Sequence, residues 1–101
     1  MVRHILLISF ISDATPSQVN NIRERFLLMP ELIPGINSVE WGVNSSKEKK
    51  NRGFTHSVVM TFNSKSSLDL YLCHPNHKVL QKYFIPLLSD IIVFDYNNDD
   101  R

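Results

Sequence analysis

The amino-acid sequence predicts one α+β domain with the ferredoxin-like order β-α-β-β-α-β. Four apolar stretches with the two-residue alternation of strands fall near residues 2–11, 36–44, 54–62 and 90–96. Stretches with helical spacing, opened by helix-capping residues, separate the first strand from the second and the third from the fourth. The first and last strands are apolar on both faces, more than a sheet covered by helices on one side requires.

Residues 2–11 form the first strand, with Val2, His4, Leu6, Ile8 and Phe10 on one face and Ile5, Leu7 and Ile11 on the other. A helix follows: Thr15 is its N-cap, Pro16 takes the first helical position and Gln18 completes a capping box. Val19, Ile22, Phe26 and Met29 give its apolar side, and Pro30, Pro34 and Gly35 end it. The second strand turns Val39, Trp41 and Val43 to one side. A polar, lysine-rich connection, residues 45–53, leads to the third strand, with Phe54, His56, Val58, Met60 and Phe62 on one face. Ser64 caps a short helix that runs through Cys73. His74 caps a second segment begun by Pro75, whose apolar side is Val79, Leu80, Phe84, Leu87 and Leu88. The last strand spans residues 90–96.

The chain of 101 residues therefore reads as one domain, residues 1–97, with a polar tail at residues 98–101. A formal net charge of +1, from Lys+Arg 11 against Asp+Glu 10, removes any electrostatic case for nucleic acid or an anionic membrane. No apolar run approaches the ~18 residues of a membrane helix. The opening MVRHILLISFIS lacks a small-residue cleavage site and reads as a strand rather than a secretion signal. A single cysteine, Cys73, excludes an intrachain disulfide and fits a reducing, cytoplasmic setting. The second apolar face, carried by Ile5, Leu7 and Ile11 and by Ile92 and Phe94, needs a cover. A second copy of the sheet is the simplest one, so a homodimer is expected.

Five stretches resemble the stress-responsive A/B barrel (Dabb) family: VRHILLISF its first strand, LIPGINSVEWGVN its helix exit and second strand, NRGFTHSVVMTF its third strand, YLCHPNHKVL its helix motif and IIVFDY its last strand. They fall in the family's order over nearly the whole chain. The resemblance implies a dimeric α+β barrel made by two sheets packing face to face, with a small-molecule pocket between sheet and helices in each subunit. One member, a plant polyketide cyclase, closes a ring by an aldol-type reaction without a metal or organic cofactor. Matching its motifs implies catalytic roles for Tyr71 and His77 and substrate-binding roles for His4, His56 and His74. The tetraketide substrate does not carry over, because the acyl pocket depends on residues outside these motifs.

The residue types suit that chemistry. A neutral imidazole at His77 fits a general base near neutral pH, and the Tyr71 hydroxyl fits stabilisation of an enolate oxygen. The competing reading is structural: Tyr71 packs its ring while His77 bonds backbone or water. His4 and His56 interrupt apolar strand faces and point either into a pocket or into a core with satisfied hydrogen bonds. Antiparallel pairing of their strands sets them at opposite ends of any shared cavity. Cys73, His74 and His77 lack the further ligand that structural zinc wants, so no metal or other cofactor is expected. Cys73 also has no acidic partner beside it for a nucleophile's role. RGFTHSVV begins like an RNA-recognition signature and departs from it at Thr55, His56, Ser57 and Val59, and KEKKNR reads as a solvated loop. Two function classes follow. One is cofactor-independent acid–base chemistry, cyclase- or lyase-like, on a small carbonyl compound. The other is non-catalytic ligand binding or stress protection by a stable dimer. An open pocket in which Tyr71 and His77 converge favours the first, and a closed core the second.

Overall fold

The computed structural model describes residues 1–100. Its elements follow as β1 (Val2–Phe10), α1 (Pro16–Leu32), β2 (Ile36–Val43), β3 (His56–Phe62), α2 (Lys65–Cys73), α3 (Pro75–Phe84), a 3-10 turn (Ile85–Leu87) and β4 (Leu88–Asn97). The strands form one antiparallel sheet in the order β2-β3-β1-β4, which is the ferredoxin-like topology. Side-chain alternation divides its two faces. Val2, His4, Leu6 and Ile8 of β1 and Val58, Met60 and Phe62 of β3 are buried beneath Ile22, Phe26 and Met29 of α1 and Leu68, Tyr71, Leu80 and Phe84 of α2 and α3. The helix-facing side of β1 therefore carries the core, with His4 as its one buried polar side chain among the described residues.

Local chemistry explains most of the boundaries. The Thr15 side chain accepts from the Gln18 N–H at 3.1 Å, and the Gln18 side chain accepts from the Thr15 N–H at 2.9 Å. Pro30 does not end α1 as the sequence led us to expect; the helix runs on to Leu32. A proline removes one N–H and one hydrogen bond, and the buried row Ile22, Phe26 and Met29 holds the helix across that gap. The stop comes from Ile33, held extended (φ −132°, ψ 121°) ahead of Pro34, and from Gly35 at φ +92°.

Three other expectations are corrected. β3 begins at His56, because Phe54 belongs to a turn in which its carbonyl accepts from the Asn51 side chain and its N–H donates to the Asn51 carbonyl, both at 2.9 Å. Val43 does not pack with Val39 and Trp41; it ends the edge strand β2 and is 65% exposed. Leu87 and Leu88 leave the helix, since Pro86 has no N–H to extend the ladder, and β4 starts at Leu88 rather than at residue 90. Asn98, the first residue of the expected tail, donates its N–H to the Met1 carbonyl at 3.1 Å, and Arg101 lies outside the described residues.

The far face of the sheet is bare. Leu7 pairs with Ile92 and Ile5 with Phe94 across β1 and β4, and Leu7, Ile92, Phe94 and Tyr96 are 37%, 43%, 61% and 41% exposed. No helix among the described residues is long and apolar enough to cross a membrane.

Candidate functional site

The site grows out of the break between α2 and α3. The Ser64 side chain accepts from the Ser67 N–H and starts α2. Tyr71 then falls one turn after Leu68, on the face turned to the sheet, and its ring centroid lies 5.3 Å from that of Phe62. His74 is extended (φ −72°, ψ 141°), and its Nδ1 accepts the Asn76 N–H at 3.0 Å, so α3 begins at Pro75. This bend returns His77 to the end of α2. Its Nδ1 lies 3.2 Å from the Leu72 carbonyl, one of the acceptors a helix leaves unpaired at its C-terminus. The ring centroids of His77 and Tyr71 are 4.5 Å apart. His4 joins them from β1, 6.1 Å from Tyr71 by centroid.

The three side chains line one cavity of about 260 Å³ between α2–α3 and the β1–β4 half of the sheet. Leu6, Leu80 and Ile91 supply apolar wall, the exposed Ile85 and Val93 form the rim, and Phe26 and Phe84 close one end. A hollow of about 380 Å³ beneath the connection between β2 and β3 is larger. It is lined by Glu48, Lys50 and His56, of which Glu48 and Lys50 are exposed loop side chains; the smaller cavity holds the buried His4 and Tyr71 beside His77 and is the chemically interesting one.

The protonation states follow from these surroundings. A carbonyl oxygen only accepts, so the bond to Leu72 puts the His77 proton on Nδ1 and leaves a lone pair on Nε2. Burial lowers the His77 pKa below its ordinary 6.5; the bond to Leu72 opposes this, and the nearby His4 adds to it. His77 is thus neutral at pH 7. Burial pushes the Tyr71 phenol well above its usual value, so it stays a hydroxyl donor.

Nδ1 of His4 donates to Asp95 Oδ1 at 2.5 Å. Asp95 escaped the sequence reading. It stands directly opposite His4 in β4, on the same sheet face as Ile91 and Val93. A lone carboxylate among apolar residues on that face is the available signal, but its partner depends on the β1–β4 register.

The remaining histidines lie elsewhere. His56 pairs with Ile8, four positions along β1 from His4, or about 13 Å at ~3.3 Å per residue. Its Nδ1 lies 2.7 Å from Thr55 Oγ1, its ring packs on Phe10 and Trp41, and burial lowers its pKa. It lines a separate groove of about 390 Å³ with Pro16, Val19, Arg23 and Trp41. His74 serves as the α3 cap and is not part of the cavity lining. Cys73 is exposed, and no three His, Cys, Asp or Glu side chains converge among the described residues.

Known proteins share this arrangement of elements. A family model described as the Stress responsive A/B Barrel Domain matches residues 2–98. The chain is 30% identical over 95 residues to the stress-response A/B barrel domain-containing protein HS1 of Arabidopsis thaliana, covering 94% of this chain and 87% of that one. It is 26% identical to olivetolic acid cyclase of Cannabis sativa, over 94% of each chain. The structure of hydroxynitrile lyase from Passiflora edulis superposes with a TM-score of 0.89 at 26% identity, covering 96% of this chain and 94% of that one. A dimeric ferredoxin-like protein from Thermobifida fusca shares the fold with a TM-score of 0.80 at 23% identity, covering 94% and 88%. Matched from its first strand to the end of its last, the chain belongs to the stress responsive A/B barrel domain family.

Proposed function

We propose that this protein carries out cofactor-independent acid–base chemistry, cyclase- or lyase-like, on a small carbonyl compound in the His4–Tyr71–His77 cavity. One observation carries the reading: a neutral imidazole and a protonated phenol stand 4.5 Å apart by ring centroid in a mostly apolar cavity. A substrate oxygen presented to the Tyr71 hydroxyl would be stabilised as negative charge develops on it. His77 Nε2 would accept the proton released, either from a carbon beside the carbonyl or from a hydroxyl whose loss of a proton restores a carbonyl. His4, held by Asp95, would bind the substrate from the sheet side. Two relatives support a cyclase- or lyase-like reading by name, olivetolic acid cyclase and hydroxynitrile lyase. A cavity of about 260 Å³ lies just below the ~300–1,000 Å³ of typical small-molecule sites, which suits a compact substrate.

The working form is a homodimer in the cytoplasm. The bare apolar face of the sheet needs cover, a protein of the same fold is described as dimeric, and an exposed free thiol at Cys73 suits a reducing compartment.

The test is turnover of two small-molecule panels, linear polyketones and small hydroxynitriles. Tyr71→Phe and His77→Ala should each lower kcat/KM by ~10²–10⁴-fold with folding unchanged. The double variant should be only slightly slower than either single one, because groups acting in one step are not additive. Full turnover in either single variant refutes the mechanism, and binding without turnover across both panels leaves a ligand-binding protein.

A further inference from the structure

Two hollows on the helix-facing side of the sheet are kept apart by aromatic rings. The cavity of His4, Tyr71 and His77 ends at Phe26 and Phe84. The groove of about 390 Å³ on the other side begins at Trp41 and His56. Between them the Phe26 and Phe84 rings meet edge to face, with centroids 5.2 Å apart and planes at 86°. Phe26 lies 6.3 Å from Trp41, and Phe10 lies 6.5 Å from Phe84 and 5.1 Å from His56, so the aromatic contacts run unbroken from cavity to groove. Phe26 and Phe84 are only 1% and 5% exposed, and both rings line the cavity while neither lines the groove, so the pair stands between the two hollows.

We propose that the Phe26–Phe84 pair sets the substrate length of this site: it restricts the cavity to compact carbonyl compounds, and the Trp41–His56 groove beyond it is the space an alkyl tail would fill if the pair were opened. The inference rests on the reading that the cavity takes a carbonyl compound. Its physical basis is a competition. Each methylene moved from water into an apolar site gains about fourfold in affinity, so an open channel would favour longer ligands steadily. A closed partition reverses that trend, because a tail must either displace well-packed rings or stay in water.

The probes are acetophenone and 4-butylacetophenone, titrated into the full chain and followed by amide and indole NMR signals. The unmodified protein should bind acetophenone at least about tenfold more tightly than its butyl analogue, with shifts near Tyr71 and His77 and none at the Trp41 indole. Opening the partition with Phe84→Leu should reverse the order: the butyl compound gains at least about tenfold, within the ~200-fold that four buried methylenes allow, and the Trp41 indole signal now moves. Phe84→Ala should act in the same direction and more strongly. Phe84→Leu keeps most of the bulk and guards against loss of folding in the alanine variant. The proposal is overturned if the unmodified protein prefers the butyl compound, if a folded Phe84→Leu keeps the original order, or if neither ketone binds the unmodified protein. A protein that shows this reversal yet turns over no carbonyl compound retains the length filter and loses the acid–base reading.

Discussion

The neighbours of His77, the base of the proposed reaction, act in opposite directions on its proton. Burial and the nearby His4 favour the neutral ring, while the Leu72 carbonyl favours the charged one, and burial prevails. The direction fixes two pH effects. In the folded chain His77 titrates below 6.5, so between that point and 6.5 the unfolded chain binds more protons than the folded one. Stability is therefore full above pH 6.5 and declines as pH falls through the window between the two values. His56, also lowered by burial, contributes in the same sense. For activity, the acid limb of the kcat/KM profile should have its midpoint below 6.5. An NMR titration of the histidine ring protons checks this directly, and a His77 midpoint above 7 would contradict a neutral base in this cavity.

At the level of elements, the break at His74–Pro75 does more than separate two helices. His77 is six positions after Tyr71, a spacing that puts two side chains on different faces of a straight helix. The extended His74 cap removes that constraint and brings the rings together. A second junction holds α2 itself in place. Gly35 sits at φ +92°, where its missing Cβ lets the α1–β2 turn lie against Ser67; an added Cβ would stand 2.7 Å from the Ser67 Cβ and Oγ. Gly35→Ala incurs both the left-handed backbone penalty and the overlap with α2. It should lower unfolding free energy by about 2–4 kcal/mol in urea denaturation. A change below about 0.5 kcal/mol would mean that this turn does not anchor α2.

The whole molecule is asymmetric about its sheet. One face is sealed by three helices and contains the cavity, while the other exposes Leu7, Ile92, Phe94 and Tyr96 in adjoining strands β1 and β4. A patch of this kind fits the expected partner, a second copy related by two-fold symmetry. Leu7→Glu introduces a charge at the middle of that face, where burial without a counter-charge is strongly unfavourable. Multi-angle light scattering at micromolar concentration should find a dimer for the unmodified chain and a folded monomer for Leu7→Glu. A folded monomer of the unmodified chain would remove the barrel.

Period, caps and breakers were legible in the sequence because each acts within a few residues. The strand alternation around His4 and Val58, the Thr15–Gln18 capping box and the His74–Pro75 start of α3 all depend on local chemistry, and the structure has each of them. The cavity-lining Tyr71, His77 and His4 were also named from the sequence, through the motifs that carry the family resemblance. Tertiary structure decided what could not be local. Pro30 stays inside α1 because distant core residues outweigh one lost hydrogen bond. Asp95 meets His4 because strands ninety residues apart in the chain pair in one register. His56 is parted from His77 because β3 pairs it with Ile8, four positions along β1 from the His4 that shares the His77 cavity. Capping and periodicity are written into neighbouring residues, whereas register and packing are settled only when the whole chain closes on itself.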